Sequence, residues 1–159
     1  MKILVVSDSH GETEDLRWLL ERVCQDYGPM NAFIHCGDGG ADLLRLRNSL
    51  LKQNPNASFH TVAGNCDLRE DVPTALKLTF DGVNIFVAHG HTFYVKSGLA
   101  EIDQASASEH CVLTLYGHTH VPNWEMRKTL NVNPGAAYKG RAALITVENG
   151  TVKADLLEY

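Results

Sequence analysis

The sequence predicts an α/β fold in which two packed sheets are flanked by helices. Three observations carry that prediction. Two strand–helix–strand crossovers occupy the first part of the chain, hairpin texture replaces them from Leu76 onward, and five polar clusters each follow an apolar strand-like run.

Residues 3–6 are an apolar run and read as a buried strand. After Gly11, the residues Leu16, Leu19, Leu20 and Val23 recur at the spacing of one helical face. Residues 32–36 are a second strand. Leu43, Leu44, Leu46, Leu50 and Leu51 then mark a second helix, which ends before Asn54-Pro55 because the residue preceding proline is pushed out of the α region. Residues 58–62 are a third strand. Two such crossovers in succession require parallel strands, and parallel strands collect their ligand-binding loops at the carboxyl ends of the sheet.

Residues 76–80, an Asp81-Gly82 turn and residues 83–88 read as an antiparallel hairpin. A short helix over 99–108 precedes a strand at 112–116. The last third reads as short strands, with Asn149-Gly150 turning a terminal hairpin that pairs 142–147 with 152–157.

A chain of 159 residues that is 44% hydrophobic can bury one substantial core, and no repeat, low-complexity tract or Pro/Ser-rich linker divides it. A single domain over residues 1–159 is expected. The formal net charge of -5 argues against stable binding along a nucleic-acid backbone, which needs a basic face. A small phosphate-ester substrate is compatible with that charge, because bound divalent cations add positive charge that side-chain counting omits. Cys24, Cys36, Cys66 and Cys111 are scattered, without a Cys-x-x-Cys pair, which fits a reducing cytoplasm. The apolar run at 3–6 is far shorter than a signal-peptide core or a bilayer span, so no membrane association is expected.

The chemistry lies in the five clusters: Asp8-x-His10, Gly37-Asp38, Gly64-Asn65-Cys66-Asp67, His89-Gly90-His91 and Gly117-His118-Thr119-His120. Taken singly, Asp8-x-His10 reads equally well as a helix cap and Gly37-Asp38 as an ordinary turn. The two His-x-His pairs are more telling, since in a loop both rings can point at an ion. Coincidence does not readily explain five apolar strands that all end in ligand-type residues. Asp and His suit Mn, Fe, Zn or Ni, and carboxylates can bridge two cations.

The order of these clusters, which span most of the chain, resembles that of the calcineurin-like metallophosphoesterases. The Cys after Gly64-Asn65, together with Asn133-Pro134-Gly135, resembles the small bacterial and archaeal phosphodiesterase branch, to which the eukaryotic retromer scaffold subunit is related. The resemblance implies a four-layer α/β/β/α sandwich of two mixed sheets and a centre of two divalent metal ions. Asp8, His10 and His120 would bind one ion, Asp38 would bridge, and Asn65, His89 and His118 would bind the second. Manganese is the expected metal, with nickel, iron, zinc and magnesium as alternatives. A homo-oligomer is expected on the same ground.

Two cations about 3.5–4 Å apart can activate a water between them and hold the phosphate oxygens for in-line attack. Asp38, Asn65, Cys66 and His91 are the candidate catalytic residues. Many superfamily members carry histidine where Cys66 stands. A thiol of ordinary pKa, about 8.5, can donate a proton but is a weak hydrogen-bond donor, so Cys66 either serves esters with good leaving groups or fills space beside the site. His91 contacts the phosphate or a ligand, or acts from the outer shell, and Asp67 orients a ligand or caps a turn. His35, His60 and His110 read as structural or surface residues, and Arg69 as a solvated loop residue. The expected activity is hydrolysis of a small phosphate ester, diester ahead of monoester. The competing function is a non-catalytic metal-binding interaction scaffold on the same fold.

Overall fold

The computed structural model describes residues 1–67 and 71–159; Arg69 lies outside the described residues. The strands are β1 (Lys2–Val6), β2 (Ala32–His35), β3 (Ser58–Thr61), β4 (Ala75–Phe80), β5 (Val83–Ala88), β6 (Leu113–Leu115), β7 (Asn123–Met126), β8 (Leu130–Asn133), β9 (Arg141–Glu148) and β10 (Thr151–Glu158). The helices are α1 (Thr13–Tyr27), α2 (Gly40–Leu50) and α3 (Ala100–Ser108). They form two five-stranded mixed sheets, in the orders β10-β9-β1-β2-β3 and β4-β5-β6-β8-β7.

Alternation along β1 explains the layering. Ile3 and Val5 point into the gap between the sheets and join Ile34, Val62, Ile85, Val87, Leu113, Leu115, Val132 and Ile145. Leu4 and Val6 point the other way and pack under Leu16, Leu19, Leu20 and Val23 of α1 and Leu43 and Leu46 of α2. On the far side, Phe86, Ala88 and Tyr116 meet Ile102 at α3. The result is four layers: helices, sheet, sheet, helix. Leu19 is fully buried, so its truncation to alanine should cost about 3 kcal/mol.

Both expected crossovers are present, with β1–β2 and β2–β3 parallel. Both hairpin turns use positive φ at two successive residues, Asp81 and Gly82, then Asn149 and Gly150, as type I′ turns require. The terminal hairpin pairs Ala142 with Leu157 and Val147 with Val152, in the expected register. β9 does not stay with its sequence neighbours. It returns to the first sheet and runs antiparallel to β1, where its Ala143 and Ile145 complete the central core. Leu51 falls just beyond α2, and Leu44 is only half-buried.

Candidate metal centre

The loops after β1, β2, β3, β5, β6 and β8 carry the five clusters and Asn133-Pro134-Gly135. Strands β1, β2 and β3 are mutually parallel, as are β5, β6 and β8, so within each sheet these loops emerge at one edge. Backbone hydrogen bonds lace them together: Asp8 N–H donates to Gly37 O, His10 N–H to Asp38 O and Gly117 N–H to His89 O, each at 3.0 Å.

The backbone there is strained. Asp8, His10, Asp38, His118 and His120 all have φ between 50° and 66°, the left-handed region that costs a non-glycine residue about 1 kcal/mol or more. Two glycines permit the close approach of the loops. A Cβ on Gly64 would lie 2.1 Å from Asp38 Oδ1, and one on Gly117 would lie 1.9 Å from Ser7 Oγ.

Two triplets result: Asp8, His10 and His120, and Asp38, His89 and His118. Within each, one ligand atom per residue lies within 4.8 Å of the others. In the first, Asp8 Oδ1 is 3.1 Å from His120 Nε2 and 3.8 Å from His10 Nε2. In the second, His89 Nε2 is 3.4 Å from Asp38 Oδ2, and the His89 and His118 rings are 5.0 Å apart. His118 and His120 enter different triplets. Cys66 forms a third grouping with His10 and Asp38, beside a groove of about 260 Å³.

The donor set fits metal ions on a direct structural test. Asp8 and His89 are fully buried, yet Asp8 Oδ1 and His89 Nε2 have no hydrogen-bond partner. Burying such groups unpaired is costly, and a cation satisfies both. The charges agree. Burial alone would lower the His89 pKa, but Asp38 and Asp8 raise it. Burial would raise Asp38, but the His89 imidazole facing it at 3.4 Å and the hydrogen bond from Cys66 N–H carry it below the usual carboxylate range. His118 is lowered by burial and by the positive charges of His89 and Lys96.

A second layer of residues orients the side chains of the two triplets. His89 Nδ1–H donates to Cys36 O at 2.8 Å, which aims Nε2 at Asp38. The Tyr138 hydroxyl lies 3.2 Å from His120 Nδ1, leaving Nε2 toward Asp8. Asp8 Oδ2 accepts from His118 N–H at 3.1 Å, and Asp38 Oδ1 accepts from Cys66 N–H at 2.7 Å. Asn133 Nδ2 donates to Gly117 O and Thr119 Oγ1, while its Oδ1 accepts from Gly135 N–H. Asn133-Pro134-Gly135 therefore clamps the loop that presents His118 and His120.

Sequence reasoning missed part of this layer. His35 is fully buried beneath the site. Its Nδ1 accepts from Gly37 N–H at 3.2 Å, so Nε2 carries the proton toward Ser9 Oγ, 3.1 Å away. Burial pushes its pKa down to about 4. Asp42 accepts from Ser9 Oγ, Gly11 N–H and Thr13 Oγ1, which ties the Asp8-x-His10 loop to α2. The signal for Asp42 was its place in the first turn of the helix that follows Asp38, but charge on a helix usually means a solvated face. His60 is half-buried against Phe80 and His110 is exposed, both apart from the centre.

His91 stands beside the second triplet, its ring 5.4 Å from His89 and 6.1 Å from His118, with a buried and unpartnered Nδ1. Burial and the charge on His89 lower its pKa. Asn65 is exposed, and its Nδ2 donates to Cys66 Sγ at 3.3 Å. The Cys66 thiol is raised by its hydrogen bond with Asp38, then by burial, and stays protonated at neutral pH.

A family model described as a calcineurin-like phosphoesterase superfamily domain matches residues 1–152. The chain is 31% identical over 156 residues to the probable metallophosphoesterase YsnB of Bacillus subtilis, covering 94% of this chain and 86% of that one. A predicted phosphoesterase structure from Streptococcus pneumoniae superposes with a TM-score of 0.75 at 29% identity, over 99% of this chain and 88% of the other. An archaeal phosphodiesterase reaches 0.72 at 22% identity, over 99% and 100% of the two chains. Zinc-complexed Vps29 from Entamoeba histolytica reaches 0.73 at 17%, over 99% of each. At their identities the last two speak for the fold.

Proposed function

The chain belongs to the calcineurin-like phosphoesterase superfamily, and from that premise we propose that it hydrolyses small phosphate esters, diesters ahead of monoesters, with two divalent cations held at the converged strand ends. One observation carries this reading. Asp8 Oδ1 and His89 Nε2, buried, unpartnered and 4.0 Å apart, belong to different triplets of ligand residues.

In this reading Asp8, His10 and His120 would hold one ion and Asn65, His89 and His118 the other, with Asp38 shared between the two sets. When bound, the cations would supply Lewis acidity toward phosphate oxygens and the acidity that makes water a nucleophile near neutral pH. Manganese is the expected metal, and nickel, iron, zinc and magnesium are the alternatives, because imidazole and carboxylate ligands suit borderline and hard ions.

The protein's own residues do the rest. Asp8 and Asp38 bring negative charge into a buried site, and their backbone and side-chain partners keep them from rotating away. His91, beside His89 and His118, is in this reading the side chain that meets phosphate oxygens. Cys66, protonated and exposed in the groove near His10 and Asp38, can give its proton to a leaving oxygen. A thiol is a weak donor, so esters with good leaving groups react fastest.

The second reading is a metal-binding interaction scaffold. It is favoured by the likeness to Vps29 and by large apolar residues more than half exposed, Trp124 and Met126 in the edge strand β7 and Val121 just before it. The retained ligand set favours the enzyme. We also place the protein in a reducing cytoplasm, consistent with four free cysteines, and as a homo-oligomer. Among the described residues no helix is long and apolar enough to cross a membrane.

The deciding experiment is hydrolysis of bis-p-nitrophenyl phosphate and p-nitrophenyl phosphate by chelator-stripped protein, with each metal restored singly, beside Asp38→Ala. Metal-dependent turnover that the variant lacks supports the enzyme. A folded protein that binds two ions and turns over neither ester points to the scaffold.

A further inference from the structure

Helix α1 buries Leu16, Leu19, Leu20 and Val23, and this places Trp18 outside the packed stripe, 56% exposed. A single exposed aromatic would need no explanation. Trp18, however, shares its surroundings with Tyr138 and Tyr159, both more than a third exposed. All three line a cavity of about 370 Å³ between α1 and the 3-10 turn Ala137–Lys139, with Asp15 and Lys139 also on its wall. That volume suits a small organic ligand. A second concavity of about 370 Å³ continues past Trp18 and Tyr159.

The cavity adjoins the metal centre. Tyr138 is the shared wall: its hydroxyl is 3.2 Å from His120 Nδ1, and its ring centroid lies 5.7 Å from His120 and 6.0 Å from His10. Trp18 stands five residues beyond Thr13, about 7.5 Å further along the helix axis. Thr13 in turn is tied to Gly11 and Asp42 at the edge of the centre. The aromatic wall thus begins at Tyr138, one ring contact away from His120 and His10. Trp18 and Tyr159 meet at 86°, their centroids 6.2 Å apart, which makes a corner for a flat ring. Asp15 offers an acceptor and Lys139 a donor, the complement to the polar edge of a heterocyclic base.

We infer that this cavity is a subsite for the base of a nucleoside phosphodiester whose phosphate lies at the metal centre. The inference rests on the phosphoesterase reading and names its substrate class. The groove on the Cys66 side takes the other arm of the ester.

The test compares two esters with one leaving group, thymidine 5′-(p-nitrophenyl phosphate) and methyl p-nitrophenyl phosphate, on the metal-loaded protein. The nucleoside ester should have the higher kcat/KM. Trp18→Ala should lower the ratio between the two about tenfold, as loss of one base-stacking contact does, and Trp18→Phe should restore most of it. A ratio unchanged by Trp18→Ala overturns the subsite. If neither ester is turned over, the catalytic reading has failed and binding decides. In a Trp124→Phe background Trp18 is the sole tryptophan. Quenching of its fluorescence by adenosine 5′-monophosphate, without quenching by ribose 5-phosphate, sustains the subsite. Equal responses, or none, overturn it.

Discussion

Asp67 holds the backbone of Asp38 in place: its Oδ2 accepts the Asp38 N–H at 2.8 Å. The same oxygen accepts Gly64 N–H at 2.8 Å, and Oδ1 accepts Gly39 N–H at 2.9 Å. One carboxylate thus joins the loops after β2 and β3 and pins the residue expected to bridge two ions. Asp67→Ala leaves three donors unpaired. It should cost about 3 kcal/mol in a denaturant titration and weaken metal binding roughly 10- to 100-fold by calorimetry, the range for losing a group that holds a metal-binding side chain in place. Unchanged metal affinity would show that Asp38 needs no such anchor.

His35 makes stability depend on pH. Unfolded, its imidazole titrates near 6.5; folded, burial holds it down to about 4. Between those values the unfolded chain binds a proton that the folded chain refuses, so stability falls as pH falls from 6.5 to 4. The full loss is about 3 kcal/mol. His35→Gln, which keeps a neutral polar side chain, should flatten that slope in melts recorded across the window. An identical slope in the variant would assign the effect to other groups.

Tyr138 tests the first triplet. Tyr138→Phe keeps the ring but removes the hydroxyl beside His120 Nδ1. Affinity for one of the two ions should fall about tenfold, with little change in the other. Equal weakening of both ions would mean that the hydroxyl does not act through His120.

Gly117 is a steric test. A Cβ there would also lie 2.8 Å from Asp8 Oδ2, so Gly117→Ala must push aside either Ser7 or Asp8. Metal binding should be lost and the thermal midpoint lowered. A fully metal-loaded variant would show that the loop has room to give.

Metal removal should also destabilise the wild-type protein. Ions bound to the folded chain alone add about 2.7 kcal/mol at a hundred times Kd. Chelation should therefore lower the melting midpoint, and restoring metal should recover it; the unpaired Asp8 Oδ1 and His89 Nε2 are the reason. A midpoint indifferent to chelator would argue against a metal centre at these residues.

The local features were legible in the chain itself. Ile3 to Val6 form an apolar run, Leu16 to Val23 keep helical spacing, Asp81-Gly82 and Asn149-Gly150 mark their turns, and ligand-type residues follow apolar strands. Each of these is a relation between near neighbours, set by backbone geometry and side-chain chemistry. Only the tertiary structure decided that β9 lies against β1 and that His35 and Asp42 are buried beneath the site. These relations join residues far apart in sequence. Their outcome depends on which loops pack together and which polar groups then need a buried partner, and local periodicity holds no record of either.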